Sequence, residues 1–265
     1  MVAGPATYLD ANATTPVDPR VAEAMLAALT GLHGNPSSSH LAGRDARRAV
    51  EAARREVAAL IGADRPDEIV FTSGGSESNI TAIRAALAAR PDRREVVTSA
   101  VEHPSVHATL DRLAATDGIV IHRLPVDGCG RLDLDAYRAA LGPGTALVTL
   151  MTANNETGTL FPIADLVPAA HAAGALFHTD AVQAAGRVAL SVAASGVDMA
   201  SFSAHKLHGP KGVGALHVRT GTPFAGLIFG GRQEKGRRAG TENVPGIVGF
   251  GVAARLALAG RHDAV

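Results

Sequence analysis

The chain has 265 residues and 46% hydrophobic composition, enough for one large core or for a large domain with part of a smaller one. Basic and acidic residues both number 25, so no net charge attracts the protein to nucleic acid or to an anionic membrane. The apolar runs fall short of the roughly 20 residues of a membrane span, and we expect no signal peptide. The single cysteine, Cys129, excludes an intramolecular disulfide and favours a reducing, cytoplasmic location.

Helical and strand patterns alternate from about residue 44 onward. An amphipathic helix is predicted over 44–61, because apolar residues recur there at helical spacing opposite a row of arginines. A β-rich run over 68–72 is followed by a Ser-Gly-Gly-Ser turn and a helix over 77–89. Further strands are predicted at 95–99, 119–123, 146–151, 175–179, 199–203 and 213–218, and further helices at 105–115, 134–141 and 163–173.

Strands that are apolar on both faces and separated by helices predict a mainly parallel α/β sheet. Ligands of such sheets bind beyond the carboxyl ends of the strands. After the first strand, Gly75 allows close backbone approach, and a helix that opens at Ser76 would offer free amides to a phosphate. On its own, this turn is more typical of a strand-to-helix connector that a serine caps.

Polar residues also follow two other predicted strands. His103, before Pro104, is either an incidental residue of a helix-entry turn or a flat ring that stacks on an aromatic cofactor. Asp180 either caps the next helix or pairs with a protonated pyridine nitrogen, and Gln183 one turn later can point into the same crevice. Taken singly, His103 and Asp180 favour the structural alternative.

The densest polar group follows the strand predicted at 199–203. Lys206 is flanked there by Ser203 and His205 in a loop of small residues bounded by glycine, as suits a Schiff-base nucleophile. The alternative is that Lys206 and Lys211 are ordinary surface cations of a turn. The spacing of these residues alone supports the two interpretations of Lys206 equally.

The order of these motifs resembles that of the cysteine desulfurases, pyridoxal-phosphate-dependent enzymes of the class V aminotransferase family. The run from Gly209 to Gly212 is more similar to the NifS/IscS-like group than to the SufS-like group. The resemblance is specific because the motifs cover nearly all of the chain in the expected order. They occupy residues 8–16, 34–40, 73–79, 102–103, 154–158, 180–183, 203–212 and 238–243.

The resemblance implies a pyridoxal 5'-phosphate site and a role for each matched residue. Lys206 would bond covalently to the cofactor, His103 would stack on its ring, and Asp180 would pair with the ring nitrogen. Gln183 would bond the phenolic oxygen, and Asn155 would lie near the substrate. The remaining cofactor-binding positions are Gly75, Ser76, Ser203 and His205, together with Thr241, which would reach the phosphate of the neighbouring subunit.

The implied reaction converts L-cysteine to L-alanine and leaves persulfide sulfur on the enzyme for iron-sulfur cluster or thio-cofactor synthesis. Lys206 and His103 would be the catalytic residues, and no metal is expected. The implied partners are a second copy of the chain and a sulfur-acceptor or iron-sulfur scaffold protein. The alternatives are another class V aminotransferase, such as a transaminase or a selenocysteine lyase, and a non-catalytic fragment.

The implied fold is the large domain of fold type I, a mainly parallel seven-stranded sheet with helices on both faces. We expect it over residues 16–255, with 1–15 joining a small domain and 256–265 beginning the helix that leads to it. Set against the family pattern, the sequence ends before the cysteine loop and the arginine that holds the substrate carboxylate. We therefore expect most of the small domain to be absent, sulfur transfer by this chain to be feeble, and Cys129 to be an incidental turn residue.

Overall fold

A computed structural model describes the backbone of residues 7–262 and the side chains of residues 7–260. Strands and helices alternate along most of it, as the sequence patterns predict. The strands are β1 (Ile69–Thr72), β2 (Glu95–Ser99), β3 (Val120–Leu124), β4 (Thr145–Thr149), β5 (Leu176–Asp180), β6 (Met199–Ser203) and β7 (Gly214–Val218). The helices are α1 (Pro19–Gly31), α2 (Leu41–Ile61), α3 (Gly75–Ala89), α4 (Pro104–Asp117), α5 (Leu134–Ala139), α6 (Ile163–Ala172), α7 (Val192–Ser195) and α8 (Val244–His262).

The seven strands form one sheet in the order β1-β7-β6-β5-β4-β2-β3. Strands β2 to β6 pair in parallel, whereas β7 runs antiparallel to both of its neighbours, β1 and β6. The prediction of a mainly parallel seven-stranded sheet is therefore confirmed. The carboxyl ends of the parallel strands meet at one edge, which is where a ligand site is expected.

Helices cover both faces of the sheet, as predicted. Because successive strand residues point to opposite faces, Val96 and Leu147 enter one apolar core, and their neighbours Val97 and Val148 enter the other. Helices α3 and α4 complete the first core, and α2, α6 and α8 complete the second. This double burial explains why the strand sequences show no polar alternation.

Helix α1, which the sequence patterns do not predict, and helix α8, which begins at Val244 rather than at the predicted position 256, pack with α2 on one side of the sheet. Small residues allow this close packing: a Cβ atom added at Gly251 of α8 would lie 2.7 Å from the Cβ of Ala53 in α2. Val21 and Ala28 are the buried residues of α1. None of the helices within residues 7–262 is long and apolar enough to cross a membrane.

A buried ion pair fixes the segment that carries Thr241. The two guanidinium nitrogens Nη1 and Nη2 of Arg54 lie 2.7 and 2.8 Å from the carboxylate oxygens of Glu234. The same carboxylate accepts the backbone N–H of Phe71 at 3.1 Å, so it ties this segment to β1. Removing either partner of such a pair would leave an uncompensated buried charge.

The predicted domain boundaries stay predictions. Position 255 falls inside α8, which runs through it as one continuous helix. In the N-terminal segment predicted to belong to a small domain, residues 1–6 lie outside the described residues, and residues 12–15 contact the carboxyl edge of the sheet.

Candidate cofactor and active site

A cavity of about 580 Å³ opens at the carboxyl edge of the sheet. It lies between the N-termini of α3 and α4, the ends of β5 and β6, and residues 10–13 of the N-terminal segment. The structure brings together nearly all of the predicted site residues there. Those that line the cavity are Gly75, Ser76, His103, Asn155, Asp180, Gln183, Ser203, His205 and Lys206.

Thr241 lies elsewhere. It is exposed and lines a separate cavity of about 230 Å³ with Ser73 and Arg238. Its predicted contact with a neighbouring subunit therefore stays a prediction. The exposed Cys129 lies in a turn that does not line the large cavity, so its predicted place outside the site agrees with the structure.

Lys206 ends a short 3-10 turn, Ala204–Lys206, directly after β6. The chain folds back tightly beyond it: His208 has a left-handed φ of 59°, and a Cβ atom on Gly209 would lie 2.7 Å from the carbonyl oxygen of Ala204. Lys206 Nζ donates hydrogen bonds to the carbonyl oxygen of Ala13 at 2.9 Å and to that of Asn12.

The surroundings of Lys206 favour its neutral amine. Burial lowers the pKa of the ammonium group, and the positive charge of Arg187 lowers it further, whereas Asp180 acts in the opposite direction. A lysine of lowered pKa presents a larger fraction of unprotonated, nucleophilic amine near neutral pH.

Asp180 is the buried carboxylate of the site, with 7% of its surface exposed. Its Oδ1 accepts the backbone N–H of Val182 at 3.0 Å, and its Oδ2 accepts Nδ2 of Asn79 at 2.7 Å. Burial raises the pKa of this carboxyl, while the bonds from Asn79 and Val182 and the charges of His103 and Lys206 oppose the rise. Asp180 thus caps a turn and also lines the cavity, while its predicted pairing with a pyridine nitrogen stays a prediction.

His103 is the N-cap residue of α4, and its Nδ1 accepts the backbone N–H of Ser105 at 3.1 Å. This bond fixes the ring at the helix entry while the side chain lines the cavity. Pro104 supplies the first helical residue, as predicted. Structural capping and a place in the site are therefore combined in one residue, as they are in Asp180.

The opposite side of the cavity suits a phosphate. Helix α3 begins at Gly75, with Gly74 rather than the predicted serine as its N-cap, so its free amides and positive dipole end face the cavity. A Cβ atom on Gly75 would lie 2.9 Å from Cγ2 of Val182, so glycine is needed for this approach. Ser203 and His205 line the same cavity.

These residues fit pyridoxal phosphate. The cavity is of the size that small-molecule sites have. It combines a partly buried lysine for the aldehyde, a buried carboxylate for the pyridine nitrogen, and a helix N-terminus for the phosphate. Lys206, Asp180 and the first turn of α3 would hold these parts of the cofactor.

Sequence reasoning assigned no role to several neighbours of the site. Asn12 spans it, because its carbonyl oxygen accepts Nε2 of Gln183 at 3.0 Å while its Nδ2 donates to the carbonyl oxygen of Asn155 at 3.0 Å. Arg187 donates to Oε1 of Gln183 at 2.6 Å and thereby orients that amide. Asn79 contacts Asp180. Asn12 and Asn79 belong to matched motifs, which was the available signal, but no spacing rule pairs them with their partners.

The sequence matches the profile of the family described as aminotransferase class-V over residues 7–265. Its relatives include the cysteine desulfurase of Cereibacter sphaeroides, 62% identical over 97% of this chain and 67% of that protein. The cysteine desulfurase of Gluconacetobacter diazotrophicus is 56% identical over 95% of this chain and 63% of that protein. The chain thus spans about two thirds of the length of these relatives.

Solved structures show the same fold. A NifS-like protein superposes with a TM-score of 0.93 at 40% identity and covers 97% of this chain and 71% of its own. A structure titled "SspA in complex with cysteine" gives a TM-score of 0.90 at 38% identity, and the match covers 94% of this chain and 72% of that one.

The fold and the lysine-containing cavity define a fold type I pyridoxal-phosphate domain. By its profile match and its relatives, the chain belongs to the class V aminotransferase family, in its cysteine desulfurase branch. The cofactor of that family is pyridoxal phosphate.

Proposed function

We propose that the cavity binds pyridoxal phosphate through Lys206 and serves a cysteine desulfurase, which converts L-cysteine to L-alanine and passes on the sulfur. One observation carries the proposal: Lys206, Asp180 and His103 meet in a single cavity of a chain that is 62% identical to a cysteine desulfurase. The neighbour titled as a complex with cysteine supports the choice of substrate.

When bound, pyridoxal phosphate supplies an electron sink for the charge that develops at the α-carbon of an amino acid. This chain supplies the groups that use it. In this proposal the negative charge of Asp180 favours a protonated ring nitrogen. Lys206 Nζ, with its lowered pKa, is placed to take the α-proton of the substrate and to return a proton to the product.

The sulfur step balances as a transfer to a thiolate. The thiolate attacks the sulfur of the substrate cysteine, so that an S–S bond forms as the C–S bond breaks. The electron pair of the C–S bond stays with the substrate carbon, and a proton then completes alanine. Cys129 does not line the cavity, so the acceptor in this proposal is a thiol other than Cys129.

The test is exchange of the α-proton of L-alanine in heavy water, because it needs no sulfur acceptor. With pyridoxal phosphate added, we expect exchange in the wild-type chain and in Lys211→Ala, the matched exposed lysine of the same loop, and none in Lys206→Ala. With L-cysteine and a thiol reductant, alanine and sulfide should then form in equal amounts. Exchange that survives in Lys206→Ala, or transamination of an added keto acid in place of alanine and sulfide, would contradict the proposal.

The same proposal includes a second copy of the chain, a cytoplasmic location, and a thiol-bearing sulfur acceptor or iron-sulfur scaffold protein as partner. Two features support the second copy. Thr241 lies on the surface, outside the cavity of its own chain, and Phe229 in the same segment is 86% exposed. Light scattering measures the mass of the assembly, and a strictly monomeric chain would contradict the shared site.

A further inference from the structure

Asn79 lies on α3 and lines the cavity, with 1% of its surface exposed. Its amide Nδ2 lies 2.7 Å from Oδ2 of Asp180 and 3.0 Å from Oγ of Ser105. An amide nitrogen carries two hydrogens, so Asn79 donates one to each partner. Because an ionised carboxylate only accepts hydrogen bonds, this orientation of the amide is the one that serves Asp180.

The hydrogen bond from Asn79 to Ser105 sets the direction of the hydrogen bonds that continue to His103. Ser105 Oγ accepts from Asn79 and lies 2.8 Å from His103 Nδ1, so its own proton points to that nitrogen. The backbone N–H of Ser105 also donates to Nδ1, at 3.1 Å. Nδ1 is therefore an acceptor, and the neutral ring of His103 carries its proton on Nε2.

The remaining atom of the amide shows that the arrangement has a cost. Oδ1 of Asn79 is buried and has no hydrogen-bond partner among the described residues. A buried acceptor without a partner costs about 1–3 kcal/mol. Both hydrogens of the amide nitrogen thus bond residues of the site, while the amide oxygen makes no hydrogen bond among the described residues.

We propose that Asn79 is a positioning residue that couples Asp180 to His103, holding the carboxylate charged and the imidazole in its Nε2–H form through one chain of hydrogen bonds. The role of these hydrogen bonds toward pyridoxal phosphate rests on the proposed function. The coupling of Asp180 to His103 rests on the distances within this protein. In this proposal Asn79 acts through its two hydrogen-bonded neighbours, Asp180 and Ser105.

Asn79→Asp tests the effect on Asp180 with almost no change of shape. The new carboxylate replaces a donor by a like charge, and two adjacent carboxylates compete for one proton. At pH 8 we expect the dissociation constant for pyridoxal phosphate, measured by absorbance titration, to rise about 10- to 100-fold. The ratio of the variant's dissociation constant to that of the wild type should shrink as the pH falls, because a protonated Asp at position 79 donates a hydrogen bond again.

The pH series separates positioning from packing. The groups that face Asp180 and can carry charge are His103, Lys206 and Glu102, and they are the same in both proteins, so their direct effects largely cancel in the ratio. The matched control is Thr81→Ala, which removes a buried hydroxyl of the same helix that bonds the carbonyl oxygen of Glu77. A ratio that is constant with pH, or an equal loss in Thr81→Ala, would overturn the proposal.

A second readout needs no cofactor. In ¹⁵N spectra of the histidine rings, Asn79→Ala and Ser105→Ala should each shift the His103 Nδ1 resonance, and Thr81→Ala should leave it in place. An unmoved resonance in Asn79→Ala refutes the coupling, provided that thermal unfolding shows the variant to be folded; an unfolded Asn79→Ala leaves Ser105→Ala and Asn79→Asp to decide. Shifted resonances in a chain that binds no cofactor would contradict the proposed function and support the coupling.

Discussion

Glu102, directly before His103, is a buried acid whose proton stabilises the fold. It is 5% exposed, and its Oε1 accepts Oγ of Ser99 at 2.6 Å and the backbone N–H of Met151 at 3.0 Å. Its Oε2 has no partner among the described residues. Burial raises the pKa of this carboxyl to about 8, against the smaller lowering effects of Ser99 and Met151.

Because the pKa of Glu102 is raised, this group makes the folded state less stable as the pH rises. The folded state binds the proton more tightly than the unfolded state, whose pKa is the ordinary 4.5. The stabilising contribution is therefore complete below pH 4.5 and is lost as the pH rises to about 8. This contribution to the free energy of unfolding falls by about 1.4 kcal/mol per pH unit, and by less as the pH approaches 8. The loss between pH 6 and pH 8 is therefore about 2 kcal/mol.

Glu102→Gln removes this dependence, since the amide keeps the Oε1 acceptor and mimics the neutral acid. Urea unfolding of the cofactor-free chain, followed by circular dichroism at pH 6 and pH 8, gives the free energy of unfolding. From pH 6 to pH 8 the free energy of unfolding of the wild type should fall by about 2 kcal/mol more than that of Glu102→Gln, because the other titrating groups are common to both proteins. Glu23→Gln, at an exposed position of α1, controls for the lost charge. Equal losses in wild type and Glu102→Gln would refute the reasoning.

Two further predictions concern packing and the site. Gly251→Ala places a methyl group against Ala53 and should lower the free energy of unfolding by about 1–3 kcal/mol. Gly260→Ala, with open space around it, should instead raise it by up to about 1 kcal/mol, and thermal unfolding that ranks the two variants the other way would contradict the packing of α8. Arg187→Ala removes a charge that lowers the pKa of Lys206, so attachment of pyridoxal phosphate should shift to higher pH in an absorbance titration. A shift to lower pH would show that Arg187 does not act on Lys206 in this way.

The sequence predicts the sheet well because its strands are buried on both faces. The strands predicted at 95–99 and 199–203 match β2 and β6 to the residue. Such runs have no polar alternation, and it is their short length that distinguishes them from buried helices. Helix α8 begins before the predicted position 256, and its earlier part is not predicted because its apolar residues lie almost all round it, which removes the one-sided pattern that marks a surface helix.

The site is predictable only in part. Parallel strands align their carboxyl ends, so polar residues after several strands are expected to meet, and Asp180, Lys206 and His103 do. Whether such a residue caps local structure or lines the cavity cannot be read from its own neighbours in the sequence, and here Asp180 and His103 do both. Asn79 is 101 positions from Asp180 in the chain, so this contact exists only once the sheet is assembled.

The central claim is that Lys206 is the attachment point of pyridoxal phosphate. The most direct measurement adds the cofactor to the purified chain, records the visible spectrum, reduces with borohydride, and identifies the modified peptide by mass spectrometry. The account predicts a visible band that borohydride removes, with the label on Lys206, in the wild type and in Lys211→Ala but not in Lys206→Ala. A label on Lys211, or the same band in Lys206→Ala, would contradict it.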